Sequence, residues 1–159
     1  GGVVWTKGKI EILGGRFLGN TASGLGGVIN SADGSTTILA GGVFQENSAI
    51  DGGVVYVGDE SDLWVEGGEV SDNKANNGGG AFFISEGGNI QITGGNFRSN
   101  KADFGGFLYK KGEGTASCEG ASILGHEGVD GGAIYAVEDA VLDWACDLVD
   151  NKALAGPAM

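Results

Sequence analysis

Short apolar stretches that alternate with polar positions recur along the whole chain, and glycine pairs separate them. Two columns of apolar residues return at fixed offsets. One column is Val4, Ile29, Val55, Phe82, Leu108 and Ile134, and the other is Phe17, Phe44, Val70, Phe97, Ile123 and Leu148. Successive side chains of a strand point to opposite faces, so each column is predicted to point inward. The stretches are about five residues long, which is too short for independent helices.

A polar column sets the period of the pattern. Its members are Asn20, Asn47, Asn73, Asn100, His126 and Asn151. The steps between them are 27, 26, 27, 26 and 25 residues, and a nearly constant period of this length indicates one small unit stacked on copies of itself. With three short strands per unit, the sequence predicts a right-handed, single-stranded parallel β-helix of about six coils of 25–27 residues. We expect one domain over residues 1–159 that forms part of a longer solenoid.

The polar column is predicted to be a structural ladder. Stacked Asn side chains can bond amide to amide along the axis and can satisfy backbone groups at a corner. His126 is the only histidine, so we interpret it as a ladder member and not as a metal ligand or part of a catalytic triad. Alanines follow two residues after the column, where a small side chain lets the corner close: Ala22, Ala49, Ala75, Ala102 and Ala153.

A leucine-rich repeat is the alternative fold, because it also carries a ladder Asn. That repeat requires a large apolar residue five positions before the Asn, where this chain has Gly15, Gly42, Gly68 and Gly95. No segment has the pattern of a convex helix. The β-helix is therefore favoured.

Composition and charge narrow the range of functions. Glycine accounts for 34 of the 159 residues, but 41% of the chain is hydrophobic, which is too much for a disordered linker. The net charge of −12 disfavours binding to nucleic acid or to anionic lipid. No apolar run approaches the roughly 20 residues of a membrane helix, so we expect no membrane insertion by this segment.

The motifs GG[AVF][ILVF] and FxxN alternate through the chain. FxxN occurs at 17–20, 44–47 and 97–100, and the glycine motif at 26–29, 52–55, 79–82, 105–108 and 131–134. This pattern resembles the repeats of chlamydial polymorphic outer-membrane proteins, whose β-helix is of the pectin-lyase-like type. The resemblance implies an extracellular or cell-surface β-helix that acts in adhesion.

An outer aromatic column is the first candidate binding site. One offset carries Trp5, Tyr56, Phe83, Tyr109 and Tyr135, with Asn30 as the exception. These residues follow the inward column by one position, so they should face outward and could hold a sugar or another protein. The alternative is that the rings stack on one another and lie under a flanking segment.

Carboxylates are weaker candidates, for catalysis. Glu46 and Asp72 share an offset on adjacent coils, with Glu69 nearby. Two carboxylates about 5 Å apart are the arrangement of a retaining glycosidase. However, a small surface with this much negative charge produces such neighbours by chance, and no motif of a β-helix lyase or hydrolase is present.

Two further groups leave alternatives open. The acidic corners at Asp59, Glu60, Asp62, Glu138 and Asp139 are candidates for weak Ca²⁺ binding, although solvated corners are the favoured interpretation. Cys118 and Cys146 occupy inward offsets on adjacent coils, where a disulfide and two buried thiols are about equally expected.

These observations favour a non-enzymatic β-solenoid at the cell surface or outside the cell, acting as an adhesin-like or structural assembly module. Its partner would be a protein or glycan surface, or further coils and copies stacked end to end. We expect no cofactor, no metal site and no nucleic-acid partner. The alternative is a β-helix that binds or cleaves polysaccharide.

Overall fold

Each predicted extended segment is a β-strand in the computed structural model, which describes residues 1–154. The last five residues of the predicted domain 1–159 lie outside this range. The first eleven strands are β1 (Val4–Thr6), β2 (Lys9–Ile12), β3 (Arg16–Leu18), β4 (Ile29–Ser31), β5 (Thr36–Leu39), β6 (Val43–Gln45), β7 (Ser48–Ala49), β8 (Val55–Val57), β9 (Asp62–Val65), β10 (Glu69–Ser71) and β11 (Lys74–Ala75). The others are β12 (Phe82–Ile84), β13 (Asn89–Ile92), β14 (Asn96–Arg98), β15 (Lys101–Phe104), β16 (Leu108–Lys111), β17 (Thr115–Cys118), β18 (Ser122–Leu124), β19 (Glu127–Asp130), β20 (Ile134–Val137), β21 (Val141–Trp144), β22 (Asp147–Val149) and β23 (Lys152–Ala153).

The strands form four parallel sheets that run along the axis of a six-coil β-solenoid. Sheet A contains β1, β4, β8, β12, β16 and β20, and sheet B contains β2, β5, β9, β13, β17 and β21. Sheet C contains β3, β6, β10, β14, β18 and β22, and sheet D contains β7, β11, β15, β19 and β23. Each strand pairs with the equivalent strand of the next coil, which confirms the predicted all-β parallel solenoid. The right hand of the coil stays a prediction from the crossover rule.

Coils 2 to 6 contain a fourth short strand that the sequence analysis treated as a corner. It begins directly after the ladder residue, and β7 and β11 are only two residues long. Ala49 and Ala75 pair across these strands and are buried, so the small alanines line the inner side of sheet D. Three strands per coil is therefore an undercount in coils 2 to 6. The fourth strand has only two residues in three of these coils, and its second position holds a small Ala or Gly in all five, so it shows no apolar alternation.

The inward columns form one continuous core. In coils 2 to 5 their members are nearly inaccessible to solvent, as in Phe44, Phe82 and Phe97. The ring centroid of Phe107 lies 5.4 Å from that of Phe82 and 4.9 Å from that of Phe97, so aromatic rings bridge sheets A and C at the centre. The same alternation that predicted the faces thus accounts for the core.

A glycine pair precedes each strand of sheet A, and the two glycines of a pair are needed for different steric reasons. Gly79 has a φ of 66°, and a Cβ built on it would lie 2.1 Å from the carbonyl oxygen of Phe82. A Cβ on Gly80 would lie 2.1 Å from the carbonyl oxygen of Gly106 in the next coil. The first glycine permits the left-handed turn, and the second permits close stacking of coils.

The first and last coils expose residues of the same columns. In coil 6, Leu142 and Leu148 at inward offsets are 44% and 45% exposed, and in coil 1 Phe17 of the sheet C column is half-buried instead of buried. The reason is that each of these coils has one neighbour within the described residues. Among residues 1–154, no helix is long and apolar enough to cross a membrane.

Candidate functional site

The Asn ladder lies between sheets C and D and is almost entirely buried. Asn73 shows its pattern of bonds: its backbone and side-chain N–H groups donate to Oδ1 of Asn100, both at 2.9 Å. Its Nδ2 also donates to the carbonyl oxygen of Phe44 in the preceding coil, at 2.9 Å. Asn47 bonds to Asn73 and to Phe17 in the same way. The ladder satisfies corner groups that would otherwise be buried without partners.

His126 occupies the fifth ladder position and is fully buried. The backbone N–H of Asn100 donates to its Nδ1 at 3.1 Å, so the ring acts as an acceptor there. Burial lowers the pKa of His126 to about 4. Within the described residues its Nε2 has no hydrogen-bond partner, and the ring packs against Phe107 with centroids 5.1 Å apart. His126 is therefore held neutral as a substitute for Asn, and one ladder bond is missing.

Cys118 and Cys146 form a disulfide, which resolves the two alternatives that the sequence left open. Their Cα atoms are 5.5 Å apart, and the bond joins β17 in coil 5 to the loop after β21 in coil 6. The last coil is therefore covalently attached to the interior of the solenoid. Disulfides of this kind persist in oxidising compartments.

The outer aromatic column is a stack of four rings on sheet A. The centroids of Tyr56 and Phe83 are 5.1 Å apart, those of Phe83 and Tyr109 are 4.5 Å apart, and those of Tyr109 and Tyr135 are 5.3 Å apart. Burial raises the pKa values of Tyr56 and Tyr109. Phe104, from sheet D, packs against Tyr135 at 5.1 Å.

Two features make this stack a poor ligand platform. Phe83 at its centre is only 8% exposed, which agrees with the alternative that the rings stack on one another under a flanking segment and not with an open ligand face at this position. A Cβ on Gly78 would lie 2.8 Å from Tyr109 Cδ2 and 3.1 Å from Phe83 Cδ2, which means that the turn before sheet A covers the rings. Trp5 is exposed but stands apart, since its neighbour on the next strand is Asn30.

The shared offset of Glu46 and Asp72 has a backbone explanation. Both residues have positive φ, 55° and 58°, directly before a ladder Asn. The same left-handed conformation recurs at the equivalent position in all six coils, at Gly19, Glu46, Asp72, Ser99, Gly125 and Asp150. Small or polar residues tolerate it better than branched apolar ones. The two carboxylates therefore align because of the corner, and nothing here favours an acid–nucleophile pair.

Glu69, the third catalytic candidate, lies on the outer face of sheet C. It lines a shallow depression of about 180 Å³ together with Asn96, Arg98 and Ser122. Its neighbours across the sheet are Val43 and Asn96, so no second carboxylate pairs with it there.

The acidic corners between sheets A and B stack into one open depression of about 450 Å³. Its acidic lining is Asp59, Glu60, Glu86, Glu113, Glu138 and Asp139. Asp62 is not part of it, because it lies on the outer face of sheet B and accepts a bond from Asn89. Within residues 1–154, no group of three or more His, Cys, Asp or Glu side chains is arranged to hold a metal ion.

A buried lysine lies beneath this acidic corner. Lys110 occupies an inward offset, and its Nζ donates to the carbonyl oxygens of Lys111, Gly112 and Glu113 at 2.7, 2.9 and 2.6 Å. Burial lowers the pKa of Lys110 to about 8, against the opposing effect of Glu86. The ammonium group is thus an internal cation that holds the corner of coil 5. A lysine at an inward offset was the sequence signal for it.

The outer face of sheet B is an open concave surface that combines aromatic and polar side chains. Trp64 stands at its centre and is 44% exposed. Its neighbours across the sheet are Ile38 and Gln91. Depressions of about 420 Å³ and 340 Å³ lie on its two sides, a size range typical of ligand sites. The sequence gives no signal for this face, because the column through Trp64 contains unlike residues and therefore has no periodic pattern.

Comparison with family models, curated proteins and solved structures finds no match. The assignment of function therefore depends on the geometry of the solenoid itself.

Proposed function

We propose that this chain is a non-enzymatic extracellular or cell-surface β-solenoid that acts as an adhesin-like or structural assembly module. The observation that carries the proposal is the match between the open face of coil 1 and the open face of coil 6. A further coil fits each face, whether a second copy or more of the same polypeptide supplies it. The disulfide supports an oxidising compartment.

The register of the strands specifies how one copy would stack on another. Continuing the columns places Phe17 of one copy over Leu148 of the other, and both residues belong to the inward column of sheet C. Trp5 would follow Tyr135 on sheet A and extend the aromatic stack. The edge strands carry backbone groups that such pairing would satisfy.

Charge also favours this arrangement. Coil 1 carries three basic side chains and one acidic side chain, namely Lys7, Lys9, Arg16 and Glu11. Coil 6 carries five acidic side chains and one basic side chain, namely Glu138, Asp139, Asp143, Asp147, Asp150 and Lys152. In the stacked register Arg16 of one copy lies next to Asp147 of the other, since both occupy the first position of their sheet C strands. Glu11 would meet Asp143, so the match is favourable overall but not at every position.

Stacking would also satisfy a polar group at the end of the Asn ladder. Asn151 accepts a bond from the backbone N–H of His126 at 2.9 Å, but its Nδ2 is buried and has no partner within the described residues. In interior coils that group donates to Oδ1 of the next Asn. Asn20 of a stacked copy would supply this oxygen. A buried donor without an acceptor costs about 1–3 kcal/mol, which stacking would recover.

Sedimentation equilibrium tests the proposal. We expect the 159-residue chain to form linear oligomers whose mass rises with concentration, and raised salt should weaken them by screening the charged faces. Arg16→Asp should weaken association, and the double variant Arg16→Asp with Asp147→Arg should restore it. A stable monomer at millimolar concentration, or no rescue by the double variant, would contradict the proposal.

A further inference from the structure

Beyond stacking, the outer face of sheet B has the features of a ligand site. We infer that the groove centred on Trp64 binds a neutral hexose oligosaccharide that lies along the solenoid axis. Its centre, Trp64 in coil 3, lies on the side of the solenoid, whereas stacking uses the end faces of coils 1 and 6, so the contact with Trp64 does not depend on assembly.

The groove runs along the axis because its walls come from successive coils. On one side of Trp64 the depression is lined by Lys9, Thr36 and Ile38 from coils 1 and 2. On the other side it is lined by Asn89, Gln91, Thr115, Ser117 and Asp143 from coils 4 to 6. An extended ligand can therefore contact Trp64 in the middle and polar groups at both ends.

The polar groups beside Trp64 are held in place before any ligand binds. Nδ2 of Asn89 donates to Oδ1 of Asp62 at 2.9 Å, and Oδ1 of Asn89 accepts from the backbone N–H of Thr115 at 2.9 Å. These contacts link coils 3, 4 and 5 along one side of the groove. Preorganised polar groups lower the entropy cost of binding.

The chemistry of the lining selects the ligand. An exposed indole offers a flat apolar surface, and amide, hydroxyl and carboxylate groups around it can bond to hydroxyl groups. A hexose ring has both an apolar face and a rim of hydroxyls. Asp62, Glu66 and Asp143 make the groove acidic with Lys9 as the one basic residue of its lining, so a uronic-acid or sulfated chain would be repelled.

The larger depression at the acidic corners lacks these features. Its acidic side chains have no aromatic or apolar platform among them, and no three of them are arranged around a metal position within the described residues. The aromatic stack of sheet A is less accessible to a ligand than Trp64, because the turn at Gly78 covers its central rings.

Isothermal titration of the disulfide-intact chain with cellohexaose, laminarihexaose and mannohexaose tests the inference, with hexagalacturonate as the acidic comparison. We expect saturable binding of at least one neutral hexamer, and Trp64→Ala should weaken it about tenfold or more. Trp64 is largely outside the core, so the variant should keep the wild-type melting curve. Trp5→Ala, an exposed Trp with no groove around it, is the matched control and should bind as the wild type does.

Asn89→Ala gives a second, independent readout. Removing it frees Asp62 and opens one side of the groove, so we expect about a threefold to tenfold weaker affinity. No saturable binding of any neutral hexamer up to about 10 mM would overturn the inference. So would tighter binding of hexagalacturonate, or equal losses in Trp64→Ala and Trp5→Ala. Sedimentation of Trp64→Ala should match the wild type, which separates failure of this site from failure of the stacking proposal.

Discussion

Coil 4 and coil 6 have the same apolar pattern at the same offsets, but their side chains have different surroundings. Ile90 and Phe97 in coil 4 are each 1% exposed, whereas Leu142 and Leu148 at the equivalent positions of coil 6 are nearly half exposed. The comparison shows that in a solenoid the neighbours of a coil supply its burial. An apolar residue at the same offset is therefore buried in an interior coil and partly exposed in a terminal coil.

The largest effect should come from an interior column. Phe97→Ala should lower the free energy of unfolding by about 4 kcal/mol, because Phe97 packs against both Phe82 and Phe107 and its removal leaves a cavity. Leu148→Ala, at the equivalent place in coil 6, should cost about 1 kcal/mol or less in the monomer. Denaturant unfolding at low protein concentration measures both. Equal losses of unfolding free energy in the two variants would show that the open face of coil 6 is covered in solution.

The second effect concerns the disulfide that links interior coil 5 to terminal coil 6. Replacing Cys118 and Cys146 with Ala should lower the stability by about 3 kcal/mol, because the bond closes a loop of 28 residues. The loss should be concentrated in coil 6, which has one neighbour. Amide hydrogen exchange should speed up at Val141–Trp144 and remain unchanged at Asp62–Val65. Uniform acceleration across all coils would contradict a local role.

The third effect depends on pH and is absent at neutral pH. His126 has a pKa of about 4 in the folded chain and about 6.5 when unfolded, so the unfolded state binds more protons between these values. Stability should therefore be unaffected by His126 above pH 6.5 and should fall by up to about 3 kcal/mol as the pH drops from 6.5 to 4.

His126→Asn is the matched variant, because Asn occupies the other described ladder positions. It should restore the amide ladder and flatten the stability profile between pH 4 and 6.5. Urea unfolding at several pH values measures the difference between the two proteins. An identical pH profile in the variant would mean that His126 is not the titrating group.

The sequence predicted the period, the inward columns and the ladder, because each is a property that repeats in every coil. It did not predict sheet D, since Ser48–Ala49 and Lys74–Ala75 have only two residues and the longer strands of coils 4 and 5 have the small Ala102 and Gly128 as their buried residues. It also missed Trp64, whose column contains Ile38 and Gln91 and therefore no shared residue type. Periodicity reports what the coils have in common, whereas a binding surface depends on what is particular to one coil.

The sequence left the coverage of the aromatic column open for a different reason. Whether Phe83 is open to solvent depends on the path of the turn at Gly78, which belongs to the end of the preceding coil. The alignment of Glu46 and Asp72 likewise reflected backbone conformation and not chemistry. In both cases the sequence predicted correctly which side chains align along the axis. The surrounding backbone determines whether those side chains are exposed and why they align.

The ladder gives the solenoid a direction. Each interior Asn sends its backbone and side-chain N–H groups towards the following coil, so the amide dipoles add head to tail. An in-frame duplication of one whole coil would preserve every one of these donors and acceptors, whereas an insertion of a few residues would break the series. Duplication of coils would thus lengthen the rod in increments of about 4.8 Å and keep the bonding pattern of the ladder.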